Sequence, residues 1–239
     1  MTRTAIVTGS ASGIGAATVQ ELQRRGYRTV GIDKAGESTS LDAKRHLAIR
    51  ADVTDELGLI AAFDQALVFL GQLDVLVTSA GVADMTPFMD LTVETFRAVN
   101  EANVIGTFVA IREAARRMQP GGRICTVASV AGIRGGGLSG TAAYATSKGA
   151  VLALTKSAAR ALAPRGISVN TIAPGATLTP MIAEQWKNDV HRTRVESMSV
   201  LNRTAQPDEM AAAIAFLVSP EASAITGSTL VADNGLVMY

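Results

Sequence analysis

Tyr144 and Lys148 are the pair of side chains in this sequence best suited to moving a proton. They stand four residues apart in Tyr-Ala-Thr-Ser-Lys, so on a helix both lie on one face. A phenol with an ordinary pKa near ~10 is a poor base at neutral pH, but a neighbouring ammonium group favours the phenolate and lowers that pKa. The pair therefore indicates a general acid and base. Taken alone, an ordinary half-exposed tyrosine beside a solvated lysine remains the alternative.

A glycine-rich turn near the N-terminus is suited to binding phosphate groups. Gly9, Gly13 and Gly15 stand between a strand pattern and a helix pattern. Glycines let the backbone turn sharply and let a pyrophosphate approach without a clashing Cβ atom, while the helix N-terminus offers unpaired N–H groups. Asp33 ends the next strand pattern, near the ~20-residue spacing expected for a carboxylate that binds ribose hydroxyls. Together these features predict a dinucleotide site.

The elements that must position these residues follow from the hydrophobic pattern. Short apolar runs rich in β-branched residues alternate with segments of helical period, which predicts right-handed crossovers and a parallel sheet between two helical layers. The predicted strands are residues 4–8, 28–33, 46–50, 74–78, 123–127, 168–172 and 229–232. The predicted helices are residues 13–25, 55–70, 92–118, 144–162 and 207–217.

No low-complexity linker divides the chain. We therefore expect a single α/β domain over residues 1–239, a doubly wound (Rossmann-like) parallel sheet of about seven strands flanked by helices. Residues 175–204, called the lid segment below, lack clear periodicity. A loop of that length in a compact domain is usually functional, so we expect it to close over the substrate.

Several motifs resemble those of the short-chain dehydrogenase/reductase family. The spacing Gly9-x-x-x-Gly13-x-Gly15 is similar to the family's nucleotide loop, and Ser129 stands upstream of Tyr144 and Lys148 as in the family. Four further motifs follow in the family's order along nearly the whole chain: Asp52-Val53, Ala80-Gly81, Asn103-Val104-Ile105-Gly106 and Pro174-Gly175-Ala176-Thr177-Leu178-Thr179. The family usually has two asparagines before that Ala-Gly, where this chain has Thr78 and Ser79, which puts the side-chain bonds of that turn in doubt.

The resemblance implies catalytic roles for four side chains. Tyr144 is expected to be the general acid/base on the substrate oxygen, and Ser129 to hydrogen-bond the same oxygen as charge develops on it. Lys148 is expected to lower the pKa of Tyr144 and to hold the nicotinamide ribose. Asn103 is expected to kink its helix locally and to hold a water that links Lys148 to bulk solvent. Asn100, three residues earlier, is the alternative to Asn103.

The Ser129–Tyr144 spacing is slightly longer than is usual in the family. The surplus falls in residues 134–140, which can loop out without moving either catalytic group and are expected to reshape one wall of the substrate pocket. Ser139 lies in that loop and is the less favoured catalytic serine.

The resemblance also implies which residues bind the cofactor. They are Gly9, Ser12, Gly13, Ile14, Gly15, Asp33, Asp52, Val53, Ala80, Gly81, Tyr144, Lys148, Pro174, Gly175, Thr177 and Thr179. Asp33 should accept hydrogen bonds from the adenosine ribose and repel a 2′-phosphate. Relatives that prefer NADP usually have a basic residue just before the second loop glycine, where this chain has Ser12. NAD is therefore the expected cofactor; NADP is the alternative, because Lys34 partly offsets the repulsion.

The sequence leaves three functions open. The leading one is an NAD-dependent dehydrogenase that acts on a secondary alcohol or ketone. The second is an NADPH-dependent 3-oxoacyl-thioester (acyl carrier protein) reductase, against which Asp33 and Ser12 argue. The third is a non-enzymatic dinucleotide sensor, against which the intact Tyr144 and Lys148 argue. Four basic residues in the lid segment either meet an anionic substrate or form a solvated helix face: Lys187, His191, Arg192 and Arg194.

The composition of the chain argues against some classes of binding partner. The 22 basic and 21 acidic side chains nearly balance, which gives no electrostatic reason to expect a nucleic acid or an anionic membrane. No apolar run approaches the ~20 residues of a spanning helix, and the N-terminus does not read as a signal peptide, so we expect a cytoplasmic protein. The single cysteine, Cys125, is expected to be an inert core residue, and His46 and His191 lack partners at metal-ligand spacing.

Alanine-rich helices at 92–118 and 144–162 suit the family's paired-helix interface and predict a homotetramer.

Overall fold

The computed structural model describes residues 2–36, 40–136 and 142–238. Its strands are β1 (Thr4–Thr8), β2 (Arg28–Asp33), β3 (His46–Arg50), β4 (Val75–Thr78), β5 (Arg123–Val127), β6 (Ser168–Pro174) and β7 (Thr229–Ala232). They pair in parallel in the order β3-β2-β1-β4-β5-β6-β7. The order reverses between β1 and β4, and ligands of such sheets bind outside the carboxyl ends of the strands at that point. The predicted doubly wound parallel sheet is confirmed.

The helices are α1 (Gly13–Arg24), α2 (Glu56–Leu70), α3 (Val93–Asn100), α4 (Gly106–Arg117), α5 (Ala131–Arg134), α6 (Ala142–Leu162), α7 (Pro180–Trp186), α8 (Asp189–Glu196) and α9 (Pro207–Leu217). The sequence predicts one helix over 92–118, but a π-helical turn at Glu101–Ile105 separates α3 from α4. Just after that turn, a Cβ atom on Gly106 would lie 2.8 Å from the Val53 Cβ. Helix α4 therefore packs closely against the segment that follows β3. No helix in the described ranges is long and apolar enough to cross a membrane.

The sheet buries both of its faces. On one face Ile6, Leu76 and Ile124 pack against α2, α4 and α6. On the other face the alternate residues Val7 and Val77 pack against α1 and α9. Successive side chains of a strand point to opposite faces, so the continuous apolar runs predicted from the sequence are those of strands covered on both sides. Cys125 is fully buried on the second face, and burial raises the pKa of its thiol to about 12, as expected of an inert core cysteine.

Glu113 of α4 is a buried carboxylate surrounded by arginines. It is 1% exposed and lies 2.8 Å from the Arg112 Nε, 2.8 Å from the Arg116 Nη1 and 2.7 Å from the Arg117 Nη1. Arg112 also pairs at 2.6 Å with Glu56, which lies at the start of α2. Burial alone would raise the pKa of Glu113, but the hydrogen bonds from Arg117 and Arg112 reverse that effect and lower it. The arginine cluster therefore holds Glu113 ionised and ties α4 to α2.

Replacing Glu113 by glutamine should cost about 2 kcal/mol of unfolding free energy, because a neutral amide loses the charge-assisted hydrogen bonds that the buried carboxylate accepts from three arginines. The pKa of Glu113 is lowered by folding, so its stabilisation is complete above its unfolded value of 4.5 and is lost as the pH falls through the folded pKa. Denaturant titrations from pH 7 down to pH 3 should therefore show a shallower decline for Glu113→Gln than for the wild type. Glu56→Gln is the matched control, since Glu56 also binds Arg112 but is exposed and should cost less than about 1 kcal/mol. Equal losses in the two variants would contradict the role given to burial.

Candidate active site

A cleft of about 670 Å³ opens at the carboxyl ends of the strands, over the β1–β4 reversal. It is lined by all but two of the site residues predicted from the sequence: Gly9, Ser12, Gly13, Ile14, Asp33, Asp52, Val53, Ala80, Gly81, Ser129, Tyr144, Lys148, Pro174, Gly175, Thr177 and Thr179. Gly15 and Asn103 lie behind this lining. Residues spread over most of the chain therefore converge on one cavity, large enough for a small molecule and its cofactor.

The glycine turn after β1 is shaped by close backbone contacts. Gly9 has φ of +70°, and a Cβ atom on it would lie 2.5 Å from the Ala80 nitrogen, in the turn that follows β4. A Cβ atom on Gly15 would overlap the Gly9 carbonyl oxygen. Only glycine fits these positions, and the turn leads directly into the N-terminus of α1. This arrangement fits the pyrophosphate of a dinucleotide, because bare backbone and unpaired helix N–H groups face the same space.

Two carboxylates stand at one end of the cleft. Asp33 accepts hydrogen bonds from the Ala11 nitrogen at 3.1 Å and the Ala35 nitrogen at 2.9 Å, so it also braces the glycine turn. Asp52 accepts from the Thr54 nitrogen at 2.9 Å and the Thr54 hydroxyl at 2.8 Å, and these bonds lower its pKa. Lys34 lines the cleft beside them. Both carboxylates are thus held by backbone N–H groups at the place predicted to receive adenosine.

Ser129, Tyr144 and Lys148 meet in a buried corner of the cleft. Burial raises the pKa of Tyr144, and a hydrogen bond with Ser129 acts in the opposite direction. The Ser129 hydroxyl oxygen also accepts from the Ala131 nitrogen at 3.1 Å. Lys148 is 5% exposed and donates to the Val127 carbonyl oxygen at 2.8 Å, with its Nζ 5.7 Å from the centre of the Tyr144 ring.

The pKa directions in this corner differ from the sequence-based hypothesis. The sequence led us to expect that the Lys148 ammonium lowers the pKa of Tyr144, but desolvation dominates in the structure and raises it. Burial also lowers the pKa of Lys148 to about 8. Both groups are therefore pushed toward their neutral forms. The expected lowering of the Tyr144 pKa by Lys148 therefore stays a prediction.

Asn103 lies within the π-helical turn and is fully buried. Its Oδ1 accepts from the Val82 nitrogen at 2.8 Å, and its Nδ2 donates to the Val82 carbonyl oxygen at 2.9 Å. The local distortion expected at Asn103 is thus a π turn. The rival residue Asn100 instead donates to the Phe96 carbonyl oxygen at 2.8 Å within its own helix. The water expected at Asn103 stays a prediction.

Two residues that the sequence did not single out belong to this region. Ser147 is fully buried and accepts a hydrogen bond from the Asn103 Nδ2 at 2.9 Å. Asp84 lines the cleft and accepts from the Thr86 hydroxyl at 2.8 Å. Ser147 stands between Tyr144 and Lys148 in the sequence, but nothing in the sequence indicates that its partner lies on another helix. Asp84 follows Gly81 closely, which is the only signal that could have pointed to it.

The lid segment contains two short helices, α7 and α8, that the sequence did not predict. Ile182, Trp186 and Val195 pack together between them, and the Trp186 Nε1 donates to the Thr204 hydroxyl at 2.7 Å. Two turns of helix are too short to show a clear period. Within the part of the surplus loop that the structure describes, Gly135 has φ of +81°. Ser139 lies outside the described residues.

The basic residues of the lid segment do not line the cleft. Lys187 pairs with Glu184 at 2.7 Å and Arg192 with Asp189 at 2.8 Å, each within one helical turn. Lys187 and Arg192 match the solvated-face alternative, whereas the half-buried His191 packs against the Trp186 ring at 5.7 Å, and none of them gives support to binding of an anionic substrate. Among the described residues, no three His, Cys, Asp or Glu side chains are placed to hold a metal ion together.

Comparison with known proteins gives consistent matches over nearly the whole chain. A family model described as enoyl-(acyl carrier protein) reductase matches residues 9–237. The cis-4-hydroxycyclohexanecarboxylate dehydrogenase of Sinomonas cyclohexanicum is 39% identical over 98% of this chain and 96% of its own length. The 3-oxoacyl-[acyl-carrier-protein] reductase of Synechocystis is 33% identical over 98% of this chain and 97% of its own length. A solved structure of a Brucella melitensis short-chain dehydrogenase/reductase, titled glucose/ribitol dehydrogenase, superposes with a TM-score of 0.89 at 31% identity, covering 99% of this chain and 97% of that one.

These matches set the non-enzymatic sensor aside, because the relatives are named enzymes that act on CH–OH groups. The matches cover nearly all of this chain and of each relative, and the solved Brucella structure has the same fold. The chain belongs to the short-chain dehydrogenase/reductase family, and it is an NAD(P)-dependent oxidoreductase of CH–OH groups.

Proposed function

We propose that this protein transfers a hydride between NAD(H) and a secondary alcohol or the corresponding ketone, with Tyr144 as the general acid/base. The observation that carries the proposal is the corner of the cleft that Ser129, Tyr144 and Lys148 line together, with the Lys148 Nζ 5.7 Å from the centre of the Tyr144 ring. A phenol and a hydroxyl that face the same cavity can both reach one substrate oxygen. NAD⁺ in the cleft would supply the hydride acceptor.

The roles of the side chains follow from their donors and acceptors. In the oxidation direction Tyr144 would act as its phenolate and take the proton from the substrate hydroxyl, while the carbon that bears this hydroxyl would give up a hydride to the bound cofactor. Ser129 donates to the same oxygen and keeps it in place. Lys148, with a pKa of about 8, is still mostly protonated near neutral pH, so it can offer a cation to the tyrosine and N–H donors to a ribose. In the reduction direction the proton returns from Tyr144 to the carbonyl oxygen.

The charges of the cleft support NAD as the cofactor. Asp33 holds its carboxylate at the cleft's edge with two backbone N–H bonds, and Ser12 in the glycine turn adds no positive charge. A 2′-phosphate would meet that carboxylate in a partly desolvated site. Lys34 also lines the cleft and is the feature that favours NADP. The acyl-thioester reductase remains the second candidate, because the Synechocystis relative is a 3-oxoacyl reductase.

The same charges support an uncharged alcohol as the substrate. The charged side chains that line the described part of the cleft are Asp33, Lys34, Asp52, Asp84 and Lys148. Around the catalytic corner the wall is otherwise made of small or apolar residues such as Val130, Ala176 and Met181. A hydroxy acid, the substrate class in the name of the Sinomonas relative, would need its carboxylate held by backbone or hydroxyl donors.

Three further expectations remain predictions. We propose that the lid segment covers the substrate, since Met181 and Ile182 of α7 line the cleft. We propose a homotetramer, supported by the exposed Ile105 and Phe108 on the outer side of the π turn and α4. The cytoplasmic location stays a prediction from the sequence.

Tyr144→Phe should lower kcat by roughly 10² to 10⁴, because it removes the transferable proton with almost no change in shape. The assay follows NADH absorbance with a panel of secondary alcohols, while NADH fluorescence measures cofactor binding. Cofactor affinity should stay near that of the wild type. Tyr27→Phe is the matched control, since Tyr27 is another buried tyrosine and lies outside the cleft. Near-normal turnover in Tyr144→Phe would refute the proposed role.

The buried Lys148 should make the free energy of unfolding depend on pH. Folding lowers the pKa of Lys148 from 10.5 to about 8, so between these values the unfolded chain binds more protons than the native protein. Stability therefore rises with pH in this window, by about 3 kcal/mol in total from this group. Denaturant titrations at pH 7.5 to 10.5 should show a steeper rise for the wild type than for Lys148→Met. The difference between the two curves removes the opposing contributions of Tyr144 and Cys125. Parallel curves would show that Lys148 titrates normally in the native protein.

Asp33→Ser should reverse the preference between the two cofactors. The wild type is expected to favour NAD over NADP by more than about a hundredfold in kcat/KM, or about 2.7 kcal/mol. The variant loses charge-assisted bonds to the ribose and repulsion of the phosphate, so NAD activity falls and NADP activity rises. Asp33 also accepts a hydrogen bond from the Ala11 nitrogen, so the variant should lose some activity with either cofactor. The ratio of kcat/KM with NAD to kcat/KM with NADP is therefore the quantity to compare. Lys34→Ala is the companion variant and should weaken NADP alone. A wild type that prefers NADP would overturn the NAD assignment.

A further inference from the structure

Ser147 links the helix of the catalytic pair to the wall of the cofactor cleft. It lies on α6 between Tyr144 and Lys148 and is fully buried. Its hydroxyl donates to the Tyr144 carbonyl oxygen at 2.7 Å and accepts from the Asn103 Nδ2 at 2.9 Å. The first bond is an ordinary contact of a helical serine with its own preceding turn. The second bond crosses to the π turn on another helix.

The link continues from Asn103 to the cleft. The Asn103 amide pairs with both backbone groups of Val82, at 2.8 and 2.9 Å, and Val82 lines the cleft. Both N–H donors of Asn103 are thereby used, one by Val82 and one by Ser147. A Cβ atom on the neighbouring Gly81 would lie 3.0 Å from the Asn103 Oδ1 and 3.5 Å from the Lys148 Nζ. The backbone of the cleft wall at Gly81, the Asn103 side-chain amide and the Lys148 amine therefore lie within a few ångströms of one another.

The π turn is what makes this link possible. If a regular α-helix continued through Glu101–Ile105, the Asn103 side chain would leave the helix axis in a different direction. Such π turns within α-helices are often found at functional sites. The Thr107 hydroxyl donates to the Asn103 carbonyl oxygen at 2.8 Å, which steadies the irregular turn. The turn aims the Asn103 amide between two elements, and Ser147 is the acceptor on the α6 side.

We infer that Ser147 is a positioning residue, which acts through Asn103 to hold Tyr144 and Lys148 at a fixed distance from the Gly81–Val82 wall. The inference rests on the proposed function, because it takes Tyr144 as the acid/base. Removing the hydroxyl leaves one buried N–H of Asn103 without its acceptor and frees the amide to turn. The Tyr144 hydroxyl would then occupy its reactive position for a smaller fraction of the time.

The test compares Ser147→Ala with Thr155→Val. Thr155 is a matched control on the same helix, since it is fully buried, donates to the Val151 carbonyl oxygen at 2.9 Å and pairs with the Thr126 hydroxyl at 2.7 Å, away from the cleft. We expect kcat to fall about tenfold in Ser147→Ala with the KM for NAD little changed, because a misplaced catalytic group lowers turnover more than binding. Thr155→Val should leave kcat within about twofold of the wild type. Equal kcat in both variants would overturn the inference.

A second measurement separates an action through Asn103 from a general loss of structure. If Ser147 acts through Asn103, the double variant Asn103→Ala/Ser147→Ala should have the kcat of Asn103→Ala alone, within about twofold. Losses that multiply would show that the two side chains act independently. If Ser147→Ala does not fold, Ser147→Cys keeps a side chain of similar shape with weaker hydrogen bonds, and its kcat should fall between those of the wild type and Asn103→Ala.

A third measurement does not depend on turnover. The Val82 N–H is protected by Asn103, so its hydrogen exchange should become at least about tenfold faster in Ser147→Ala and stay unchanged in Thr155→Val. Unchanged Val82 exchange in Ser147→Ala would refute the link itself. A wild type that binds NADH but oxidises no secondary alcohol would instead refute the proposed function, and the exchange result would still decide whether Ser147 holds the wall.

Discussion

The contact between the backbone of Gly9 and that of Ala80 is the constraint on which the cleft depends. It joins the turns after β1 and β4, the two neighbouring strands at which the sheet order reverses. The connections leaving these turns diverge to opposite faces of the sheet, to α1 on one face and toward α4 on the other, and the space between them becomes the cleft. Any side chain at Gly9 would push these turns apart, and a side chain at Gly15 would displace Gly9 itself. The cofactor wall, the glycine turn and the start of α1 therefore share one packing requirement.

On the side of the cleft that holds Tyr144 and Lys148, burial away from water determines the protonation of both groups. Burial moves the pKa of Tyr144 up and that of Lys148 down to about 8, so at neutral pH a neutral phenol lies beside an amine that is still mostly protonated. A pair poised in this way responds strongly to any positive charge brought near it, because little water is present to screen the interaction. The Val127 carbonyl oxygen fixes the amine from below, so the tyrosine, which faces the cavity, is the partner free to exchange a proton with a substrate.

The sequence predicted most of the framework, since buried parallel strands and amphipathic helices leave strong periodic signals. All seven strands lie where the apolar runs indicated, with ends shifted by no more than two residues. The family resemblance predicted a local kink at Asn103, but the sequence could not show that the kink is a π turn, because the side chains of 92–118 keep a helical period on both sides of it. Helices α7 and α8 were also missed, since each buries only one or two side chains in a small cluster. Ser147 shows the same limit at the site: its partner is 44 residues away, and only the fold brings them together.

These differences divide the site into two parts with different physical character. The groups that would handle the proton lie on long elements and are bound from several sides: Tyr144 and Lys148 on α6, and Asn103 between two helices and the cleft wall. Met181 and Ile182 of the lid segment line another part of the cleft, and this segment is held by a small apolar cluster and the Trp186–Thr204 hydrogen bond. A substitution there changes few contacts with the sheet, whereas one near Asn103 disturbs three elements at once. Changes in substrate are therefore physically easiest through the lid segment, with the proton-transfer groups left in place.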